Sequence, residues 1–278
     1  MNSVNPVKKV LLFCNARDEK HIKEWAAHHL LIGFTHIIIF DHNSKVPLSH
    51  VFKNFDKRVA IVRYNTPPSK NNVKMELMNS ALSLAKQMNV DWFIYLDADE
   101  FIILNNNLIG IKDLLNKYFF ADLLALNWLM FGSNNLKTDP DGLILDNYTK
   151  SDLMLDQHVK SFVRPFQATH SGNPHFYHIK NKSRMYALNT TLSKPYTFNT
   201  KTVEYFNTPA FIAHYVNQSE ESYTNRKLNL PRDDSGDNRN KIDTETIHAM
   251  YNSIENTFPK LKYAKNVQAF LRQYGHSF

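Results

Sequence analysis

The chain has 278 residues, 43% of them hydrophobic, enough to bury the core of one domain or slightly more, and its 7 glycines and 11 prolines exclude a low-complexity protein. A single cysteine, Cys14, excludes an internal disulfide framework and a cysteine-based metal site, and fits a reducing compartment. The net charge of +7 favours anionic partners, but no run of five basic residues appears, so a dedicated nucleic-acid binder is not expected. The polar stretch Met1 to Lys9 has no apolar signal core, and no segment nears the roughly 20 apolar residues of a membrane span. The expectation is a cytoplasmic protein, soluble or touching membranes only peripherally.

In chain order, Val10 to Asn15 reads as a buried strand. Asp18 is placed to cap a following helix with Glu19 in its first turn, apolar Ile22, Trp25, Ala26 and Leu30 at helical spacing, and a stop near Gly33. His36 to Asp41 and Val59 to Tyr64 read as strands, Asn72 to Met88 as an amphipathic helix, and Asp91 to Leu96 as a fourth strand. Continuous apolar strands joined by helices predict an α/β fold with a mostly parallel central sheet flanked by helices. Beyond residue 100 the spacing predicts a helix over Lys112 to Phe119 and strands over Leu123 to Phe131, Val159 to Phe166, His175 to Ile179 and Ala210 to Tyr215. From Ser219 onward the pattern is helical over Glu220 to Leu228, Thr244 to Asn256 and Tyr263 to Tyr274, with a polar loop, Pro231 to Lys241, that is either an ordinary linker or a segment that closes over a ligand.

Ligands of such sheets bind beyond the carboxyl ends of the strands. Three polar clusters follow strand ends here: Asn15 to Glu19 (with Arg17), Asp41 to Ser44, and Asp97 to Glu100. The last is the most informative. Trp92-Phe93-Ile94-Tyr95-Leu96 runs into Asp97, Asp99 and Glu100, and carboxylates at the rim of a central strand are costly unless they meet water or a cation. On an extended chain Asp97 and Asp99 share one side, two oxygen ligands suited to Mg2+ or Mn2+, which would in turn hold a diphosphate. Asp41 reads either as an Asx turn or as a carboxylate facing a uracil N–H. His214, after the apolar Ile212-Ala213, reads either as a core histidine or as a further metal ligand. Lys160 and Arg164 share strand parity and either face one anionic group or form a solvated face. Lys227, Arg232 and Arg239 carry the same two readings. Glycine is too scarce for a phosphate-binding Gly-rich loop, which argues against P-loop enzymes and dinucleotide dehydrogenases.

The segments Asn15-Ala16-Arg17-Asp18-Glu19, Glu24-Trp25 to His28-His29-Leu30, Gly33, Phe40 to Ser44, Trp92 to Phe101, Trp128 to Asn134, Pro140 to Leu143, Val159 to Pro165, Pro174-His175 and His214-Tyr215 form an ordered series. That series resembles the GT-A type of glycosyltransferase, within the family-92-like group related to family 2. Asn135 and Asp146 depart from it, where relatives often carry glycine and glutamate. The resemblance implies a UDP-sugar donor with Mn2+ or Mg2+, metal ligands Asp97, Asp99 and His214, and donor contacts from Asn15, Arg17, Glu19, Asp41, Asp97, Lys160 and Arg164. It implies a glycan, glycolipid or glycoprotein acceptor and inversion at the sugar. For the base that takes the acceptor proton, Asp141 and Asp146 are nominated because they follow the Phe131-Gly132-Ser133 strand end, with Asp152 and Asp156 as further candidates. Residues 1–218 would form the catalytic domain (1–104 for the nucleotide, 105–218 for sugar and acceptor), and 219–278 a helical extension. A sugar nucleotidyltransferase and a noncatalytic carbohydrate-binding protein of the same fold are the alternatives.

Overall fold

The structure is a computed structural model that describes residues 6–67, 72–105, 108–188, 190–191 and 197–277. The first five residues of the polar N-terminal stretch lie outside it. The first part alternates as expected: β1 (Val10–Ala16), α1 (Ile22–Leu31), β2 (His36–Asp41), α2 (Leu48–Val51), β3 (Val59–Arg63), α3 (Val73–Gln87) and β4 (Trp92–Tyr95). There follow β5 (Glu100–Leu104), α4 (Ile111–Lys117), β6 (Leu123–Met130), α5 (Ile144–Asn147), β7 (Lys150–Ser151), β8 (Val159–Val163), and the hairpin of β9 (Ala168–Asn173) and β10 (Phe176–Ile179). The chain ends with β11 (Met185–Ala187), β12 (Thr190–Thr191), β13 (Ala210–His214), α6 (Glu220–Tyr223), α7 (Thr244–Ala249), β14 (Ile254–Glu255) and α8 (Lys265–Arg272).

One sheet dominates, in the order β12-β11-β6-β8-β4-β1-β2-β3. It is parallel from β4 through β1 and β2 to β3, while β8 runs against β4 and β6. Both faces are covered, which is why β1 is apolar throughout: Val10, Leu12, Cys14 and Ala16 enter the core cluster containing α1, and Leu11 and Phe13 enter the one containing α3. The sheet divides along β6. One edge of β6 pairs with β8 over Leu123 to Asn127 and stays bonded through Trp128 to the chain leading into β8, while the other edge passes from β11, at Leu123 to Ala125, to β13, at Trp128 to Met130.

β5 pairs along one edge with β13. Side chains of α1 satisfy its other edge. Trp25 Nε1–H donates to Glu100 O (2.8 Å), His28 Nε2–H donates to Ile102 O (2.8 Å), and His29 Nε2 accepts from Ile102 N–H (3.3 Å). This explains two histidines without solvent exposure in a helix whose sequence looks merely apolar. Neutral rings do this work, and burial pushes the pKa of His28 down to about 4 and that of His29 well below its ordinary value.

Several boundaries differ from the sequence expectation. Asp18 does not cap α1; its φ is +55° and its carboxylate accepts from Lys45 N–H (2.8 Å), tying the ends of β1 and β2 together. Gly33 does stop α1, at φ +105°. The helix expected from Thr244 to Asn256 ends at Ala249, because the next turn is drawn onto Gly132. A Cβ at Gly132 would meet Asn252 at 2.3 Å and Tyr251 O at 2.6 Å, so only glycine admits this contact. β9 went unforeseen because Ala168–Asn173 is polar and gains its place by pairing with β10 over α3. Among the described residues no helix is long and apolar enough to cross a membrane.

The buried histidines predict an acid-sensitive fold. Unfolded histidine takes up a proton near pH 6.5 and the native rings refuse it until about pH 4, so this stability is complete above pH 6.5 and is lost as pH falls toward 4. Urea unfolding should give a stability about 2–4 kcal/mol lower at pH 5 than at pH 7. His28→Phe should shrink that difference by about 2 kcal/mol; an unchanged pH dependence would remove His28 from the account.

Candidate active site

The decisive local feature is the turn after β4. Leu96 N–H still bonds to Phe13 O (2.9 Å), but Glu100 N–H folds back onto Asp97 O (3.1 Å) and β5 departs at once. The Asp-x-Asp pair therefore lies on a turn and not on an extended chain, and its two carboxylates face different partners. Asp97 is held by Lys74 through Oδ1 and by Lys160 through Oδ2 (3.0 Å). Asp99 accepts through Oδ2 from Arg226 (2.6 Å) and Lys227 (2.8 Å), while its Oδ1 stands 3.5 Å from His214 Nε2. Desolvation opposes ionisation of both acids. Lys160 and Lys74 outweigh it at Asp97, and Lys227 and Arg226 at Asp99, so both stay far below the ordinary carboxylate range. Glu100 differs. It is fully buried, it accepts from Asp97 N–H (2.8 Å), and Lys160 is 3.5 Å away. Burial pushes its carboxyl up to about 7, and Lys160 only partly offsets this. It braces the turn from behind and does not face the cleft.

Two cavities open at this edge of the sheet. One, of about 170 Å³, is lined by Asn15, Arg17, Glu19, Lys74, Asp97, Asp99, Arg226 and residues 230–234. The other, of about 380 Å³, is lined by Trp128, Asp156, His158, Lys160, His175, His214 and Tyr251. Asp97, Pro174, Lys227, Arg232, Asp234 and Arg239 line both, so the two adjoin across one charged wall. The loop after α6 is folded down onto the rim. Asp233 accepts from Asn15 Nδ2 (2.5 Å) and lies 3.1 Å from His42 Nδ1, and Arg17 donates to Pro231 O (2.7 Å).

The structure thus brings together Asn15, Arg17, Glu19, Asp97, Asp99, Lys160 and His214, together with the more weakly marked Lys227, Arg232 and Arg239. It does not bring the other candidates there. β8 is antiparallel to β4, so Lys160 at its start lies at the cleft while Arg164, just past its end, lies at the opposite edge. The Arg164 guanidinium donates to Ala121 O and Phe119 O (both 3.0 Å) and stacks on Trp92, the first residue of β4, at 4.4 Å. Asp41 builds a turn: its oxygens accept from Ser44 N–H (3.0 Å), Leu48 N–H (2.9 Å) and Arg63 (2.6 Å), and the buried side chain lines neither cavity. Asp146 accepts from Gln268 (2.7 Å) and ties α5 to the C-terminal helix, and Asp141 is exposed beside it; neither lines the cleft. Asp152 accepts from Ser253 Oγ (2.8 Å), whereas Asp156 lines the larger cavity. Lys74 and Arg226 escaped sequence reading because they reach Asp97 and Asp99 from 23 and 127 residues away, with no local pattern to mark them.

The implied divalent ion fits part of the expected ligand set. Asp99 Oδ1 and His214 Nε2 face each other at 3.5 Å, a carboxylate and imidazole pair suited to Mn2+, and the buried His214 Nδ1 has no partner. Asp97 is turned to its two lysines instead. Among the described residues no three His, Cys, Asp or Glu side chains converge as ligands. The remaining coordination would come from phosphate oxygens and water, as is usual for Mg2+ and its like.

A search among curated proteins finds no match. Among solved structures the chain is similar to a cytidylyltransferase from Leptospira borgpetersenii serovar Hardjo-bovis, at 12% identity and a TM-score of 0.29, over 57% of this chain and 60% of that one. The family model for glycosyltransferase family 92 matches residues 12–258, taking in most of β1, the Asp97–Asp99 turn, Trp128 and the loop on the rim. With this α/β architecture of GT-A type, the chain belongs to glycosyltransferase family 92.

Proposed function

We propose that this glycosyltransferase moves a sugar from a UDP-linked donor to a hydroxyl of a glycan, glycolipid or glycoprotein acceptor, with inversion and with the help of Mn2+ or Mg2+. The observation that carries this reading is the Asp97–Asp99 turn at the carboxyl rim of the parallel strands, ringed by cations from three separate segments and set where two cavities adjoin. The smaller cavity, with Asn15, Arg17 and Glu19, suits the nucleotide, and the larger, with Trp128 and three histidines, suits the sugar and acceptor. Asp99 and His214 would hold the ion, which when bound offsets the charge that develops on the departing diphosphate. Arg226 and Lys227, now on the outer oxygen of Asp99, are placed to pass to the donor phosphates, and Lys74 and Lys160 keep Asp97 ionised beside them.

The test is release of UDP from a panel of UDP-sugars, with Mn2+ and with chelator. Turnover should require the ion, and Asp99→Asn should lower kcat at least about a hundredfold. Wild-type turnover in chelator, or an unaffected Asp99→Asn, would defeat the metal role. Release of pyrophosphate would mark a nucleotidyltransferase, and no release at all a binding protein.

Two basic residues separate site from scaffold. By calorimetry Lys227→Ala should weaken UDP binding at least about tenfold, a loss of about 1.4 kcal/mol. Arg164→Ala should leave UDP binding unchanged while lowering unfolding stability by about 1–2 kcal/mol, since it frees two loop carbonyls and a stacked ring. A UDP-binding defect in Arg164→Ala would return that residue to the site.

A further inference from the structure

We propose that Asp156 and His158 form the base that takes the proton from the acceptor hydroxyl. The inference rests on the glycosyl-transfer reading above and adds the group that it lacks.

Both residues are built onto Trp128 of β6. Asp156 N–H donates to Trp128 O (2.8 Å), and Trp128 N–H donates to His158 O (2.9 Å). The Asp156 carboxylate then turns to the imidazole: its Oδ1 lies 2.6 Å from His158 Nδ1 and also accepts from His158 N–H (2.8 Å). A carboxylate on Nδ1 selects the tautomer with the proton there and leaves Nε2 as a lone-pair acceptor. Nε2 has no hydrogen-bond partner among the described residues. The ring is stacked on Trp128 (4.9 Å between centroids, 16° between planes) and closed on another side by the edge of Phe198 (4.7 Å, 68°), so its direction is set by packing. The two side chains remain 36% and 39% exposed, so an acceptor can reach them.

Their position relative to the donor site follows from strand geometry. Residues 158 and 160 share parity where the chain enters β8, and Lys160 extends from the same face to Asp97. His214, the candidate metal ligand, lies against the Trp128 ring at 4.3 Å, so the two histidines touch the same indole. The competing acids are unsuited. Asp97 and Asp99 are engaged by cations, Glu100 has no access to the cleft, and Asp141 and Asp146 are elsewhere.

The step balances without another reactant. The acceptor oxygen bonds to the anomeric carbon as its proton passes to His158 Nε2. The bond from that carbon to the β-phosphate oxygen breaks, and its electron pair leaves with UDP. The imidazolium, stabilised by Asp156, then returns its proton to solvent.

The test uses the full chain, the UDP-sugar that the wild type turns over best, and a mixture of simple methyl glycosides as acceptor probes, with UDP–Mn2+ calorimetry in parallel. His158→Ala and His158→Gln should each lower kcat about a hundredfold or more while UDP affinity stays within about threefold, and added imidazole should restore part of the turnover of His158→Ala. Asp156→Asn should show the same pattern with a smaller loss. Turnover within about threefold of wild type in either His158 variant would overturn the proposal. So would a defect in His158→Ala that His158→Gln repairs, which marks a merely structural ring. If the wild type releases no UDP from any donor, the transfer reading itself falls and the proposal falls with it.

Discussion

The site depends on charge compensation at one turn. Asp99 is taken out of bulk water at the rim of a sheet and Asp97 is half-buried beside it, and each is held there by two cations that come from distant parts of the chain. Desolvating such groups costs several kcal/mol per ion, and removing one partner leaves the other uncompensated. The pairing therefore couples four segments: α3 through Lys74, β8 through Lys160, the turn itself, and the chain after α6 through Arg226 and Lys227. On the proposed reading, a nucleotide diphosphate and its ion would bring the same two signs of charge and could exchange partners with the protein without leaving a buried charge bare.

The second constraint is the packing around Trp128 on β6. Its backbone bonds to the chain that leads into β8, and its indole touches the rings of both His158 and His214. The antiparallel entry of β8 adds Lys160 to the same wall and removes Arg164 from it. Elsewhere the fold meets its remaining polar groups with side chains: the buried Glu24 accepts the first N–H groups of α5 at 2.8 and 3.0 Å, and the histidines of α1 satisfy the free edge of β5.

The amino-acid sequence by itself determined the alternation of apolar strands and helices over the first hundred residues, because a strand buried on both faces must be apolar throughout and a helix must be amphipathic. It also located the carboxylates after β4, since acids ending an apolar run stand out locally. What only the tertiary structure decided is what those acids face. The conformation of the Asp97–Asp99 turn, the engagement of Asp41 by Ser44, Leu48 and Arg63, the opposite fates of Lys160 and Arg164, and the arrival of Lys74 and Arg226 all depend on strand direction and on contacts between segments far apart in the chain. The shortening of α7 by Asn252 settling on Gly132 is of the same kind. Periodicity reports burial, which is local; partnership among charges is set by where the folded chain brings them, and no spacing in the sequence encodes it.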